Sequence, residues 1–89
     1  MTAVPNTERL VVEYMAGEGA LVRMLGLVER RGFAVRAIAM AEDLSSASLA
    51  MDVEARDPLR RLDVLAHQLE RLIEVRSVRF SPTHPGTPA

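Results

Sequence analysis

The chain has no cysteine, no tryptophan and no lysine, and three of its 89 residues are aromatic: Tyr14, Phe33 and Phe80. Without cysteine, neither a disulfide nor a thiolate metal site can stabilise the fold. Three aromatic side chains are too few for the stacking surface on which proteins bind single-stranded nucleic acid. No apolar run approaches the roughly 20 residues that a membrane-spanning helix needs. Nucleic acid and membrane are therefore not expected as partners.

Charge is nearly balanced, with 11 basic and 12 acidic residues and a formal net charge of -1. Such a balance creates no field that would attract nucleic acid or an anionic membrane. Residues 1–7 lack the basic and apolar regions of a signal peptide, so the sequence predicts a cytoplasmic protein. A chain of this length forms one domain, which buries only about 60% of its unfolded surface. We therefore expect oligomerisation or a partner to add stability.

The two ends of the chain differ in composition from the middle. Residues 1–7 are short and mixed, and residues 81–89 contain three prolines. Proline resists both helix formation and pairing in a sheet, and the segment has no core-forming pattern. The sequence predicts a flexible N-terminus over 1–7, a folded domain over 8–80 and a disordered proline-rich tail over 81–89.

Apolar periodicity predicts six elements in the folded part. In chain order they are a strand over 9–15, a helix over 19–31, strands over 33–41 and 47–55, a helix over 58–72 and a strand over 75–80. Gly32 is a natural left-handed stop for the first helix, while Asp57 and Pro58 are typical of the N-cap and first residue of the second. The second helix is expected to bury one stripe: Leu62, Leu65, Ala66, Leu69 and Ile73.

The resulting order is βαββαβ. Two amphipathic helices must bury their apolar stripes on one face of a four-stranded antiparallel sheet. The predicted fold is therefore α+β and ferredoxin-like, with both helices on the same face.

The second predicted strand is apolar on both faces. A strict alternation would place Phe33, Val35, Ala37 and Ala39 on one face and Ile38 and Met40 on the other. Because helices cover only one face, we expect the other face or an edge to meet another subunit, with Val35, Ile38 and Met40 as interface candidates. The alternative is that a small sheet tolerates a few exposed aliphatic side chains.

Nothing in the sequence forms a catalytic constellation. His84 lies in the proline-rich tail, and His67 lies one helical turn after Asp63 on a face away from the leucines. A histidine and an aspartate on an exposed helix are more typical of a solvated pair than of a proton relay. No cluster of histidine, aspartate and glutamate has the spacing of metal ligands. The sequence therefore predicts neither catalytic residues nor a metal site.

The Gly17-Glu18-Gly19-Ala20 segment joins the first strand to the first helix. Such a loop presents backbone N–H groups at a helix N-terminus, which can bind an anion. It is not a phosphate loop, because it lacks Gly-Lys-Ser or Gly-Lys-Thr and carries Glu18. Two interpretations remain open: a tight turn, or a seat for the carboxylate of an amino acid.

Two segments resemble a known family. Residues 19–33, GALVRMLGLVERRGF, are similar to the signature of acetohydroxyacid (acetolactate) synthase small subunits, in which Gly-Ala-Leu opens the first helix and Arg-Gly-Phe ends it. Residues 65–75, LAHQLERLIEV, resemble the second helix of that family. The resemblance covers about residues 8–80, is greatest to the short small subunit of the valine-resistant isozyme (isozyme II), and extends to the wider ACT-domain family.

The resemblance implies a ferredoxin-like homodimer that has no cofactor of its own. Such a subunit binds a catalytic large subunit, which carries thiamine diphosphate, and raises its activity in branched-chain amino-acid biosynthesis. The effector site of the family corresponds here to Ala16, Gly17, Glu18, Gly19, Ala20, Leu21 and Ala34. Valine-sensitive relatives carry asparagine at the positions of Ala16 and Ala34, so the resemblance implies that valine does not regulate this chain.

A second function remains open at this stage. A free-standing ACT module would bind an amino acid and regulate some other enzyme. A copurifying catalytic subunit would favour the first function, whereas saturable binding of an amino acid to the isolated chain would favour the second.

Overall fold

The structure is a computed structural model that describes residues 7–42 and 46–81. Its elements are β1 (Thr7–Tyr14), α1 (Ala20–Arg30), β2 (Phe33–Glu42), β3 (Ala47–Ala55), α2 (Leu62–Glu70) and β4 (Val75–Ser81). The strands pair antiparallel in the order β2-β3-β1-β4. The predicted ferredoxin-like α+β fold is confirmed.

The element bounds agree with the sequence prediction for β3 and lie within two residues of it for the other strands and α1. The predicted tails fall mainly on residues 1–6 and 82–89, and the predicted turn falls mainly on 43–45; these three segments lie outside the described residues. No helix in the described part of the chain is long and apolar enough to cross a membrane.

The core lies between the two helices and one face of the sheet. Alternate residues of the two central strands are buried there, as the period-2 pattern predicts. The largest of the side chains with less than 2% exposure are Leu10, Met24, Leu49, Met51, Leu65, Leu69, Val12, Val28 and Val53. Burying each such side chain contributes roughly 1.5–3 kcal/mol, so this layer supplies most of the driving force for folding.

A bulge in β2 overturns the predicted division of that strand into two faces. Val35 lies opposite Val53 and Ala37 lies opposite Asp52, so Arg36 is an extra residue in the ladder. The insertion shifts the alternation by one residue. Ile38 therefore lies on the same face as Val35, the helix-covered one, whereas the prediction placed them on opposite faces.

The second helix begins later than predicted. Asp57 does not cap a helix: its carboxylate Oδ1 accepts the N–H of Leu59 at 2.9 Å, and its carbonyl accepts the N–H of Arg60 at 3.2 Å, which closes a separate turn. Arg61 is then extended (φ -112°, ψ 129°), so the helix starts only at Leu62.

The end of α2 also differs from the prediction. The helix ends at Glu70, and Ile73, predicted on its buried stripe, is 92% exposed. Leu72 packs against the core instead. Since the chain has left the helix by then, the helical spacing no longer decides which side chain faces inward.

Candidate functional site

The glycine loop, residues 16–19, joins β1 to α1 and is exposed throughout. Gly19 adopts the left-handed conformation (φ +82°) and precedes the helix without a side-chain cap. The N–H of Ala20 donates to the carbonyl of Gly17 at 3.1 Å, and Ala20 itself is buried. The loop is therefore a tight turn that leads directly into a helix N-terminus.

The amide groups at this end are only partly open to a ligand. The sequence suggested that N–H groups around Gly17, Gly19 and Ala20 could receive a carboxylate, but Ala20 already donates within the loop. Leu21 and Val22, in the first turn of α1, have N–H groups with no acceptor among residues 7–42 and 46–81. These are the donors that a helix N-terminus offers to an anion.

Arg23 ties the glycine loop to the connection between α2 and β4. Its guanidinium forms an ion pair with Glu74 and approaches the carbonyl of Glu18 at 3.5 Å. The carbonyl of Glu74 in turn accepts the N–H of Met15 at 2.8 Å. Since Glu74 balances Arg23, the carboxylate of Glu18 is left as the uncompensated charge of the loop, and it disfavours a purely anionic ligand.

Ala34 does not lie near the glycine loop within one chain. It pairs with Glu54, whose partner on β1 is Thr7, whereas the loop follows Tyr14 at the other end of β1. The seven steps from Thr7 to Tyr14 span about 23 Å at the rise of a β-strand. One copy alone therefore does not bring all the residues of the predicted effector site together.

The three interface candidates lie on the helix-covered side of β2, which is an edge strand. Val35 is partly buried and packs against the core. Ile38 and Met40 are each 45% exposed, although they lie opposite the buried Met51 and Leu49. The helices cover the central strands of the sheet, whereas these two side chains lie at its edge and are only partly covered.

The structure does not form a proton relay between Asp63 and His67. Both carboxylate oxygens of Asp63 accept hydrogen bonds from Arg61, at 3.2 and 2.8 Å, and these bonds lower the pKa of Asp63. His67 is exposed, and its side chain has no hydrogen bond or ion pair with any described residue. Within the same part of the chain, no three histidine, cysteine or acidic residues are grouped as metal ligands.

A cleft of about 520 Å³ lies at the opposite end of the sheet from the glycine loop, and the sequence analysis did not anticipate it. It is bounded by the start of β2, the end of β3 and the segment from Arg56 to Leu62. That segment was predicted as helix from Pro58 onward, whereas in the structure it forms a turn before α2. The Asp57-Pro58 pair, which also favours a turn, was the available signal.

Comparison with protein families identifies the domain. The profile of the ACT domain matches residues 17–78, which is more than half of the chain. The chain belongs to the ACT domain family. An ACT domain is a regulatory, amino-acid-binding module, so the expectation of a regulatory role is confirmed at the level of the domain.

Solved structures agree in fold. The ACT domain of GTP pyrophosphokinase from Chlorobium tepidum superposes with a TM-score of 0.71 at 12% identity, covering 85% of this chain and 97% of that one. The C-terminal domain of the MgtC protein from Mycobacterium tuberculosis gives 0.68 at 14% identity, with 90% and 92% covered. The regulatory subunit of aspartate kinase from Thermus thermophilus gives 0.62 at 17% identity, with 86% and 50% covered. Comparison with curated protein sequences gives no significant match.

Proposed function

We propose that this ACT domain is the non-catalytic, activating small subunit of an acetolactate synthase in the cytoplasm. The observation that supports the proposal is that the segment similar to that family coincides with the first helix and the glycines on either side of it. The similar segment, residues 19–33, begins on Gly19 and has Gly32 as its last residue but one, and both glycines adopt the left-handed conformation, with φ of +82° and +91°. The two glycines of the motif are thus the residues that start and stop α1.

The free edge of β2 is the proposed surface for association. An edge strand presents N–H and C=O groups that can pair with another chain. Beyond the bulge, residues 37–42 carry small alanines on the open face and the exposed Ile38 and Met40 on the other. We propose that two copies pair antiparallel through this segment in a homodimer.

Such a dimer also accounts for the separation of Ala34 from the glycine loop. Antiparallel pairing would bring Ala34 of one copy to the end of the sheet where Gly17 and Gly19 of the other copy lie. The effector seat would then be shared between two chains. The side chains that line it at positions 16 and 34 would both be the small methyl groups of alanine.

Reconstitution tests the proposed function. The chain alone should form no acetolactate from pyruvate, and it should raise the turnover of a copurifying catalytic chain that contains thiamine diphosphate. Ile38→Asp and Met40→Asp should weaken both dimerisation, measured by sedimentation, and activation. The matched control is Ile73→Asp, because Ile73 is more exposed and lies in the turn before β4. A catalytic chain that binds but turns over at an unchanged rate would refute the assignment.

We further propose that valine does not regulate the complex. An amino acid bound away from water needs partners for its ammonium as well as its carboxylate, and neither Ala16 nor Ala34 supplies a side-chain oxygen. Losing one hydrogen bond to a charged group costs roughly 1.5–3 kcal/mol. Millimolar valine should therefore leave the turnover of the complex unchanged, whereas the double variant Ala16→Asn, Ala34→Asn should gain some response. Tight binding of valine to the unaltered chain by calorimetry would contradict this proposal.

A second function is supported by the open amides of Leu21 and Val22 together with the likeness to the regulatory subunit of aspartate kinase. In that case the chain is a free-standing module that binds an amino acid and regulates another enzyme. Calorimetry of the isolated chain against the common amino acids distinguishes the two functions. Saturable binding without any effect on acetolactate formation would favour the second.

A further inference from the structure

The cleft at the far end of the sheet has the size of a small-molecule site. Its volume of about 520 Å³ falls within the roughly 300–1,000 Å³ that ligand pockets occupy. It lies at the end where β1 and β2 begin and β3 ends, opposite to the glycine loop. The cleft is therefore separate from the glycine loop of the same chain.

The floor of the cleft is apolar. Phe33 and Val53 are both buried, at 3% and 1% exposure, and both lie on the helix-covered face of the sheet. Leu62, the first residue of α2, lines the same space and is partly buried. A ligand with an aliphatic side chain would remove further apolar surface from water at this floor.

An unpaired carboxylate lines one side of this floor. Glu8 lies opposite Val53 in the β1–β3 register, so it occupies an inward position of β1, in line with the buried Leu10 and Val12. Its carboxylate makes no ion pair or hydrogen bond with any residue in 7–42 or 46–81. Because Glu8 is the second residue of β1, its side chain lies beyond the buried core and is exposed, so the carboxylate is open to a ligand.

An unpaired guanidinium lines the same cleft. The backbone N–H of Arg56 donates to the carbonyl of Gly32 at 2.9 Å, which fixes the start of the turn against β2. The side chain of Arg56 has no partner within the described ranges. The neighbouring Arg60 differs, because its Nε lies 3.3 Å from the Asp57 carboxylate and its side chain packs over Gly32.

We propose that this cleft binds an α-amino acid with an aliphatic side chain. The carboxylate of the ligand pairs with Arg56, its ammonium pairs with Glu8, and its side chain lies on Phe33 and Val53. A zwitterion satisfies both unpaired charges at once, whereas a simple carboxylate leaves Glu8 unmatched and a simple amine leaves Arg56 unmatched. Since both charged side chains remain in contact with water, we expect binding in the millimolar range.

Titration of the full-length chain with L-leucine, followed by amide NMR spectra, tests the proposal. Leucine should shift the amide signals of Glu8, Phe33 and residues 53–62 in a saturable way. The carboxylate analogue 4-methylpentanoate and the amine analogue 3-methylbutylamine should each bind at least about fivefold more weakly. Shifts confined to residues 16–22, equal binding of the three compounds, or no shift would each overturn the proposal.

Charge-removing variants test the two assigned contacts separately. Arg56→Gln and Glu8→Gln should each weaken leucine binding about fivefold or more. The matched controls are Arg76→Gln and Glu70→Gln, since both residues are exposed and have no side-chain partner in the described part of the chain. Unchanged binding in the first pair, or equal weakening in the controls, would overturn the assignment. No catalytic chain takes part in these measurements, so their result is independent of the reconstitution experiment.

Discussion

The two ends of the domain are built in opposite ways. At the end of the glycine loop, Arg23 and Glu74 pair with each other and hold the loop against the α2–β4 connection. At the other end, Arg56 and Glu8 line one cleft, and neither side chain has a partner among residues 7–42 and 46–81. The resemblance to a known family draws attention to the first end, yet the cleft of about 520 Å³ is at the second. The family resemblance and the cleft thus indicate different ends of the domain as candidate sites.

Each end also contains a left-handed glycine beside an arginine, and the two contacts differ. A Cβ atom added to Gly19 would lie 3.0 Å from Nη1 of Arg23, at the tip of a flexible side chain. A Cβ atom added to Gly32 would lie 2.5 Å from Nε and 2.9 Å from Cδ of Arg60, in the middle of a side chain that Asp57 holds in place. Gly19 is required mainly for its backbone conformation, and Gly32 is required also for its lack of a side chain.

The largest effect is expected at the floor of the cleft. Phe33→Ala should destabilise the domain by about 3–5 kcal/mol, because it removes a buried aromatic side chain where β2 begins. Phe80→Ala is the control, since Phe80 on the opposite edge strand is 52% exposed and should cost much less. Urea unfolding of both variants measures the difference. Equal losses would mean that Phe33 is not part of the packed core.

The two glycines allow a sharper comparison of the two ends. Alanine in the left-handed conformation costs roughly 1–2 kcal/mol, so both Gly19→Ala and Gly32→Ala should lower the free energy of unfolding. The loss at Gly32 should be greater, because Arg60 must also move. Adding Arg60→Ala to Gly32→Ala should restore part of the extra loss in the free energy of unfolding. Adding Arg23→Ala to Gly19→Ala should restore little. Losses of the same size at both positions, with no recovery, would contradict the contact with Arg60.

Tyr14 should make the loop end sensitive to alkaline pH. Burial, with a smaller contribution from Glu42, raises the pKa of Tyr14 above its ordinary value. A raised folded-state pKa stabilises the fold fully below the unfolded pKa of about 10, and this contribution is lost as pH rises further. Tyr14→Phe should flatten the dependence of the urea midpoint on pH above about pH 10. An unchanged slope in the variant would show that another group titrates.

The smallest effect concerns Asp63, which lies on the helix that follows the cleft. Hydrogen bonds from Arg61 lower the pKa of Asp63 in the fold, so its contribution is present above the unfolded pKa of about 3.9 and is lost as pH falls through the folded value. Because the pair is exposed, the change in stability should be slight. Arg61→Ala should return the NMR-monitored pKa of the Asp63 carboxyl toward its ordinary value. If the Asp63 carboxyl titrates identically in the unaltered chain and in Arg61→Ala, Arg61 is not the cause of its lowered pKa.

Much of the fold could be predicted because it depends on neighbours along the chain. The alternation of Leu49, Met51 and Val53 identified β3 with its observed bounds, since a strand buried on one face needs a period of two. Gly32 was correctly predicted as a left-handed stop because few other residues adopt that conformation at low cost. The break between β1 and α1 was predicted for the same kind of reason, although Gly19, predicted as the first residue of the helix, lies just before it.

The candidate sites were predicted less completely. The glycine loop was found, but Ala34 turned out to lie about 23 Å from it along the sheet. The cleft was missed, since its wall from Arg56 to Arg61 has the composition of a helix start. Its open charges, Glu8 and Arg56, are separated by 48 positions in sequence and have no local pattern in common.

By itself the sequence determined the order of the elements, the buried faces of the central strands and the glycine stops, because each depends on short-range periodicity or on the backbone of one residue. Tertiary structure alone decided two features. The bulge at Arg36 depends on how β2 pairs with β3, and it places Ile38 on the helix-covered side. The turn after Asp57 is joined to the start of β2 by the hydrogen bond from Arg56 to Gly32. The bulge and the hydrogen bond from Arg56 to Gly32 both join residues far apart in the chain, and local pattern does not encode such contacts.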